Sequence, residues 1–183
     1  MGEIFTIRRA GANDNDNDDD NDINAIGYLA QQIWPDTYGE ILSPEQLKYM
    51  LDLFYNPDAL SRQMRVDKHQ FIIIERGEEA IGFASWGPVQ PGVAKLHKLY
   101  VLPVGQGKGL GRAMLDFIYS ILREEGASRL RLNVNRHNKA QRFYEKLGFK
   151  IIGSEDIDIG HGYYMNDFIM EAAVPPSEHE DGI

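Results

Sequence analysis

The sequence predicts an α/β fold, in which helices pack on a central β-sheet of mixed strand directions. Runs with strand-like alternation and runs with helix-like spacing follow one another along the chain. Apolar residues make up 43% of the 183 residues, as in a globular protein. A glycine-rich turn at residues 105–111 joins an apolar strand-like run to an amphipathic helix. We therefore expect a single domain over residues 1–174 and a disordered acidic tail over residues 175–183.

The first half of the chain predicts a strand, three helices and a hairpin. Glu3–Ala10 alternates as a strand, and Ile23–Ile33 has apolar residues at helical spacing and is followed by the helix breaker Pro35. Ser43 and Pro44 are an N-cap and a first helical residue, so a helix is expected at 43–55. The other elements expected here are a short helix at 58–66 and a hairpin of strands 71–75 and 80–86.

The second half predicts strands and helices in alternation, closed by a final hairpin. Strand 93–102 leads into the glycine-rich turn, and Gly126 ends the helix that follows it. Pro175 and Pro176 stop any extension of the last strand. The expected elements after the turn are helix 109–125, strand 129–135, helix 139–147, and strands 149–157 and 163–173.

The net charge of −9 comes from two segments. Residues 13–22 carry six acidic residues and the tail carries three, and without these nine the chain is neutral. The acidic run resembles the start of a calcium-binding loop, but Asp19 replaces the turn glycine and Ala25 the final glutamate. We expect a flexible, solvated loop at 13–22 and no metal site. No basic stripe is present, so nucleic acid is not expected as a partner.

The composition and the absence of long apolar runs also indicate where in the cell the protein is expected. The chain contains no cysteine, which excludes disulfides, thiolate metal sites and a cysteine nucleophile. No apolar run reaches the length of a membrane span, and the N-terminal residues lack the apolar core of a signal peptide. We expect a cytoplasmic protein that does not bind membranes.

The glycine-rich turn has the properties of a phosphate-binding site. Glycines let the backbone approach a ligand, and the first amides of the following helix have no intrahelical partner. The helix dipole attracts anions, and Lys108 and Arg112 add positive charge. The glycines are Gly105, Gly107, Gly109 and Gly111. This pattern predicts a ligand that carries a pyrophosphate.

Spacing restricts which ligand this is. A Walker loop requires Ser or Thr after its lysine, but Gly109 follows Lys108. A dinucleotide fingerprint requires a third Gly or Ala at a position held here by Leu110, Arg112 or Met114, depending on the starting glycine. The spacing Gln106-x-x-Gly109-x-Gly111 resembles the Q/R-x-x-G-x-G/A signature of the GNAT superfamily of N-acetyltransferases, which holds the pyrophosphate of acetyl-coenzyme A (acetyl-CoA).

A second motif resembles the same superfamily. Residues 138–149 read N-x-A-x-x-F-Y-E-K-L-G-F and follow the first motif after about thirty residues. The element order over residues 3–173 is also similar to that of the superfamily. The resemblance implies a mostly antiparallel sheet of six or seven strands, about four helices, and a splay between strands 93–102 and 129–135. The segment 33–47 further resembles the PaiA-like spermidine/spermine acetyltransferase branch.

The resemblance implies roles for individual residues. Tyr144 stands where the superfamily carries the tyrosine that protonates the leaving thiolate. Many relatives have Asn seven residues before this tyrosine, where this chain has His137; we favour the neighbouring Asn138 for that cofactor contact, with His137 as the alternative. The implied cofactor contacts are Leu99, Tyr100, Val101, Gln106, Gly107, Lys108, Gly109, Leu110, Gly111, Arg112, Asn138 and Tyr144.

The candidate proton acceptor is a residue type that differs from the one many relatives carry. Many relatives carry a glutamate at the position aligned with His97, and a histidine there can accept a proton directly or through water at neutral pH. A water chain without His97 is the alternative, and His161 and Asp167 are weaker candidates on the acceptor side.

The expected activity is acetyl-CoA-dependent N-acetyl transfer by direct attack of a primary amine. A small amine such as a polyamine is the first candidate for the acceptor, and a protein or peptide amine is the second. A regulator that binds acetyl-CoA without turnover is a hypothesis of another class. A homodimer is expected from the resemblance.

Overall fold

The computed structural model describes residues 2–11 and 16–177. In these residues the chain forms seven strands and five α-helices. The strands are β1 (Phe5–Ala10), β2 (Gln70–Arg76), β3 (Glu79–Gln90), β4 (Val93–Val101), β5 (Arg129–Asn135), β6 (Lys150–Gly160) and β7 (Tyr163–Ala173). The helices are α1 (Asp16–Tyr38), α2 (Pro44–Tyr55), α3 (Pro57–Arg65), α4 (Leu110–Glu124) and α5 (Ala140–Lys146).

The strands form one mixed sheet in the order β1-β2-β3-β4-β5-β7-β6. The pairs β1–β2, β2–β3, β5–β7 and β6–β7 are antiparallel. The parallel pairing of β4 with β5 joins Val93–Leu96 to Arg129–Leu132 and ends there, although both strands continue. The predicted mixed sheet and the splay between these two strands are confirmed.

The chain divides into two compact units, and the first contains Met1–Gly87 and Lys98–Met114. Helix α1 packs against α2 and α3. Strand β2 is buried over Phe71–Ile74, a continuous apolar run typical of an interior strand. Both tryptophans of the chain, Trp34 and Trp86, are buried in this unit.

The second unit contains Pro88–His97 and Leu115–Ile183. Burial alternates along β5, where Leu130, Leu132 and Val134 are buried and the residues between them are half-buried. This alternation gives the strand one apolar face and one polar face. The expectation of one domain over residues 1–174 stays a prediction.

Helix α1 starts earlier than the sequence predicts. We expected a loop at 13–22 and a helix at Ile23–Ile33, but the helix begins at Asp16; residues 13–15 lie outside the described part of the chain. Asp22 explains part of the difference. Its carboxylate accepts hydrogen bonds from Arg8 (Nη2 at 2.8 Å) and from the Gly11 amide (3.1 Å), which ties this turn to β1. Acidic residues near a helix N-terminus also stabilise it through the helix dipole.

Helix α1 also ends later than predicted. Pro35 was expected to end it, but the helix continues to Tyr38. A proline removes one backbone donor, and other contacts hold the turn that follows. Gly39 N donates to Pro35 O at 2.9 Å, Thr37 Oγ1 donates to Ile33 O at 3.2 Å, and the rings of Trp34 and Tyr38 lie 4.6 Å apart.

The remaining elements agree with the predictions within a few residues. Ser43 caps α2 by accepting a hydrogen bond from Gln46 N at 3.1 Å, as its position predicts. Strand β3 continues to Gln90 and β6 to Gly160, beyond the predicted ends at 86 and 157. Residues 175–177 have no regular structure, and the rest of the predicted tail lies outside the described residues.

Candidate active site

The glycine-rich turn follows β4 through a short 3₁₀ turn at Pro103–Gly105. Gly105 is buried, and a Cβ at this position would lie 2.7 Å from Val101 Cγ1 and 2.9 Å from Leu110 Cδ1. A larger residue would therefore push β4 and the start of α4 apart. The side-chain amide of Gln106 donates to Val101 O at 3.2 Å and fastens the turn to the end of β4.

The outer side of the turn is open. Gly107 and Gly109 have φ of 75° and 73°, which a residue with a side chain rarely adopts. No heavy atom lies within 4 Å of the position of a Cβ at either glycine. Helix α4 begins at Leu110, so the amides of its first turn have no intrahelical partner. The turn thus provides the backbone donors and the space that a pyrophosphate requires.

Lys108 is already engaged. Its ammonium forms a salt bridge with Glu3 and lies 5.7 Å from the centroid of the Phe5 ring. The hydrogen bond from Lys108 lowers the pKa of the exposed Glu3 carboxyl below its usual value. Arg112 is exposed in the first turn of α4. A phosphate bound at this turn would compete with Glu3 for Lys108.

Strand β4 carries an aromatic cluster that the sequence did not reveal. The hydroxyls of Tyr38 and Tyr100 lie 2.8 Å apart, and the Lys98 ammonium lies 5.0 Å from the centroid of the Tyr55 ring. Burial lowers the pKa of Lys98 to about 8. The cluster consists of Trp34, Tyr38, Tyr55, Phe83 and Tyr100. Its members come from two helices, α1 and α2, and two strands, β3 and β4, so no local pattern predicts it.

The second unit contains the proposed proton donor. Tyr144 lies on α5 and is buried, with 9% of its surface exposed. Its ring meets that of Phe149 nearly edge-on, with centroids 5.6 Å apart and an interplanar angle of 71°. This packing restricts the orientation of the Tyr144 ring.

Asn138 and His137 stand at the start of α5. Asn138 Oδ1 accepts a hydrogen bond from Ala140 N at 2.9 Å, so its carbonyl oxygen is used for the helix start and its amide nitrogen keeps donor capacity. His137 is exposed, and its backbone amide donates to Asn135 Oδ1 at 2.9 Å. The choice between the two as the cofactor contact stays a prediction.

One face of the second unit's sheet is polar. Lys95 of β4 pairs with Arg131 of β5, so the two share a face, and alternation places His97 and Asn133 on it as well. Asp167 of β7 lies opposite Asn135 and accepts a hydrogen bond from Asn133 Nδ2 at 3.3 Å. We call this the polar face, and its members are Lys95, His97, Arg131, Asn133, Asn135, Asp167 and Glu171.

His161, the other acceptor-side candidate, lies elsewhere. It is exposed in the turn between β6 and β7, with φ of 53°. Histidine adopts a positive φ more often than most residues that carry a side chain. The conformation of the turn therefore gives a structural explanation for His161 between Gly160 and Gly162.

Neither a metal-binding cluster nor a membrane-spanning helix is found among the residues that the structure describes. No group of three or more His, Asp or Glu side chains there could hold a metal ion. None of the helices described is long and apolar enough to cross a membrane.

Comparison with known proteins identifies the family. The family model described as "Acetyltransferase (GNAT) family" matches residues 24–149. The chain belongs to the GNAT family of acetyltransferases. The match includes β4, the glycine-rich turn and the motif that ends at Phe149.

Relatives of the chain agree with this assignment. Spermidine N(1)-acetyltransferase of Thermoplasma acidophilum is 29% identical over 155 residues, which cover 82% of this chain and 90% of that protein. An uncharacterized N-acetyltransferase of Mycobacterium tuberculosis is 26% identical over 81% of this chain and 96% of that protein. The crystal structure of PaiA N-acetyltransferase from Thermoplasma acidophilum in complex with coenzyme A superposes with a TM-score of 0.75, at 26% identity and with 93% and 99% of the two chains covered. The protein is an acetyl-CoA-dependent GNAT N-acetyltransferase.

Proposed function

We propose that this protein acetylates a primary amine of a small molecule, with polyamines as the first candidates. For the acetyl donor, the main support is the open glycine-rich turn, since its backbone donors and space suit the pyrophosphate of acetyl-CoA. For the acceptor, support comes from the similarity to a spermidine acetyltransferase over most of both chains.

The proposed donor site uses the turn and the end of β4. Amides of Gly107 to Arg112 hold the pyrophosphate, and Lys108 adds its charge once it leaves Glu3. Backbone groups of Leu99, Tyr100 and Val101 hold the pantetheine arm and the thioester oxygen. Acetyl-CoA supplies the thioester whose carbonyl the amine attacks.

Two side chains of the second unit have proposed roles in proton transfer. An alkylammonium has a pKa near 10, so only about one molecule in a thousand is uncharged at neutral pH. His97 is the proposed acceptor of the amine's proton, directly or through water. The Tyr144 hydroxyl is the proposed proton donor to the leaving sulfur, and a phenol keeps its proton at pH 7.

A second candidate acceptor is the amino terminus of a protein. Ribosomal protein bS18-alanine N-acetyltransferase of Haemophilus influenzae is 36% identical over 86 residues, which cover 47% of this chain. Because the match is partial, it supports this acceptor class less than the spermidine enzyme supports an amine metabolite.

A coenzyme A-release assay tests the proposal. The purified protein and acetyl-CoA are mixed with polyamines, amino acids, aminoglycosides or peptides with free N-termini. Release with a polyamine or another small amine is expected, and release with peptides alone would favour the second candidate. Tight binding of acetyl-CoA without release for any acceptor would contradict the catalytic proposal and favour an acetyl-CoA sensor.

A further inference from the structure

The polar face carries two carboxylates with opposite surroundings. Glu171 accepts from Arg129 Nη1 at 2.8 Å and from Arg131 Nε at 2.6 Å, and these partners lower the pKa of its carboxyl. Asp167 is more deeply buried, with 4% of its surface exposed, and it makes no salt bridge among the residues that the structure describes. Its hydrogen-bond partner is the neutral amide of Asn133, at 3.3 Å.

The cations near Asp167 do not neutralise it. Arg136 forms its salt bridge with Asp156, and both Arg136 and Lys95 act on Asp167 through their charges without forming a salt bridge to it. Glu155, directly opposite on β6, adds a like charge. Burial is the largest effect and raises the pKa of the Asp167 carboxyl. A buried carboxylate in this position is stabilised by a cation that donates hydrogen bonds.

A bound acceptor could supply this cation either as the amine that reacts or as a second ammonium that does not react, and the chemistry favours the second ammonium. A carboxylate stabilises an ammonium and so opposes the loss of its proton. The amine that attacks the thioester must lose that proton, so a tight ion pair with Asp167 would slow its reaction. A second, non-reacting ammonium on the same acceptor keeps its charge throughout the reaction. An ion pair between this ammonium and Asp167 therefore does not oppose the loss of a proton from the reacting amine.

We propose that Asp167 binds the non-reacting ammonium of the acceptor and so selects diamines and polyamines over monoamines. Asn133 orients the carboxylate, which makes it a positioning residue. His97 lies on the same polar face, so the proposed proton acceptor and Asp167 belong to one face of the second unit. This inference rests on the proposed function and narrows its acceptor class.

The test compares acceptors that differ by one charge. The values of kcat/KM for 1,4-diaminobutane and 1-aminobutane are measured by coenzyme A release. The wild-type protein is expected to prefer the diamine, and Asp167→Asn is expected to reduce the diamine-to-monoamine ratio about tenfold, because a charge-assisted hydrogen bond is lost. Glu155→Gln is the matched control: it changes an exposed carboxylate directly opposite Asp167 and should leave the ratio within about twofold.

Other outcomes separate the inference from the proposed function. Equal loss of activity on both amines in Asp167→Asn, together with a lowered melting temperature, would make Asp167 a structural residue and overturn the inference alone. If Asp167→Asn does not fold, Asn133→Ala takes its place; a reduced ratio supports the inference and an unchanged ratio contradicts it. Absence of coenzyme A release with every acceptor contradicts the proposed function and this inference with it.

Discussion

Tyr144 combines two properties that a proton donor to a thiolate needs. Its ring packs against Phe149, and it carries a phenol, a group that can donate a proton. Sequence alone assigns this residue through the motif around it, whereas the burial that fixes the ring is a property of the folded unit.

Replacing this phenol tests its role. Tyr144→Phe keeps the ring contact and removes the hydroxyl, so kcat should fall by about a hundredfold while the Kd for acetyl-CoA changes little. Steady-state kinetics and calorimetric titration measure the two quantities. Tyr164→Phe, at an exposed tyrosine of β7, is the control and should behave as wild type. Unchanged turnover in Tyr144→Phe would remove the tyrosine from the mechanism.

Glu3 forms a salt bridge with Lys108, the lysine that we propose binds the pyrophosphate of acetyl-CoA. Glu3→Gln removes the carboxylate that competes for Lys108, so acetyl-CoA should bind a few-fold more tightly, and the gain should shrink as salt screens the charges. Titration with acetyl-CoA at low and high ionic strength measures this. Glu79→Gln is the control, because Glu79 pairs with Arg76 and does not contact Lys108. Weaker binding in Glu3→Gln would mean that the salt bridge positions Lys108 for the phosphate.

Strand β4 shows what can and cannot be read from the sequence of an element. Its bounds and the turn that follows were predicted, because alternation and glycine spacing are local signals. The aromatic cluster around Tyr100 and the polar face that includes Lys95 depend on which strands and helices become neighbours. The sequence named Asp167 as an acceptor-side candidate, but it did not predict the contrast between Asp167 and Glu171, because the partners of both come from β5.

The position of His97 on β4 leads to a prediction about pH. A histidine that accepts the amine's proton must be neutral, so the rate should fall at acidic pH, which gives the kcat/KM profile an acidic limb. In His97→Ala this acidic limb of the kcat/KM profile should disappear or shift, with a lower rate on the plateau. The profile is measured from pH 5 to 9 for wild type and for His97→Ala. An identical acidic limb in wild type and His97→Ala would place the proton acceptor elsewhere.

Local helix signals in the sequence predict neither end of helix α1 correctly. Pro35 and the acidic run both favour loops locally, and the helix passes through part of the run and beyond the proline. Packing of Trp34 and Tyr38 and the contacts of Asp22 outweigh these preferences. The Asp22 contacts reach Arg8 and Gly11, which lie outside the helix, so helical periodicity does not contain them.

The stability of the whole protein should depend on Lys98. Burial lowers its pKa from 10.5 to about 8, so between these values the unfolded chain holds a proton at Lys98 that the folded chain has lost. The contribution of Lys98 to the free energy of unfolding therefore rises as the pH increases from about 8 to about 10.5. At neutral pH the charged ammonium is destabilising, although its contact with the Tyr55 ring offsets part of the cost.

Lys98→Met keeps the length of the side chain and removes the charge. The variant should be more stable than wild type by about 1–2 kcal/mol at pH 7, and the difference should shrink towards pH 10.5. Urea unfolding at several pH values measures it. Lys48→Met, at an exposed lysine of α2, is the control and should show no such trend. A variant less stable than wild type at pH 7 would show that Lys98 contributes favourable contacts that outweigh its burial.

Both tryptophans, Trp34 and Trp86, belong to the first unit, and the second unit contains none. Intrinsic tryptophan fluorescence therefore reports the unfolding of one unit, whereas far-ultraviolet circular dichroism reports helices and strands from both. Coincident denaturation curves from the two probes would show that the units unfold as one cooperative domain. Separate midpoints would assign the fluorescence transition to the unit that carries the glycine-rich turn, without any label being added.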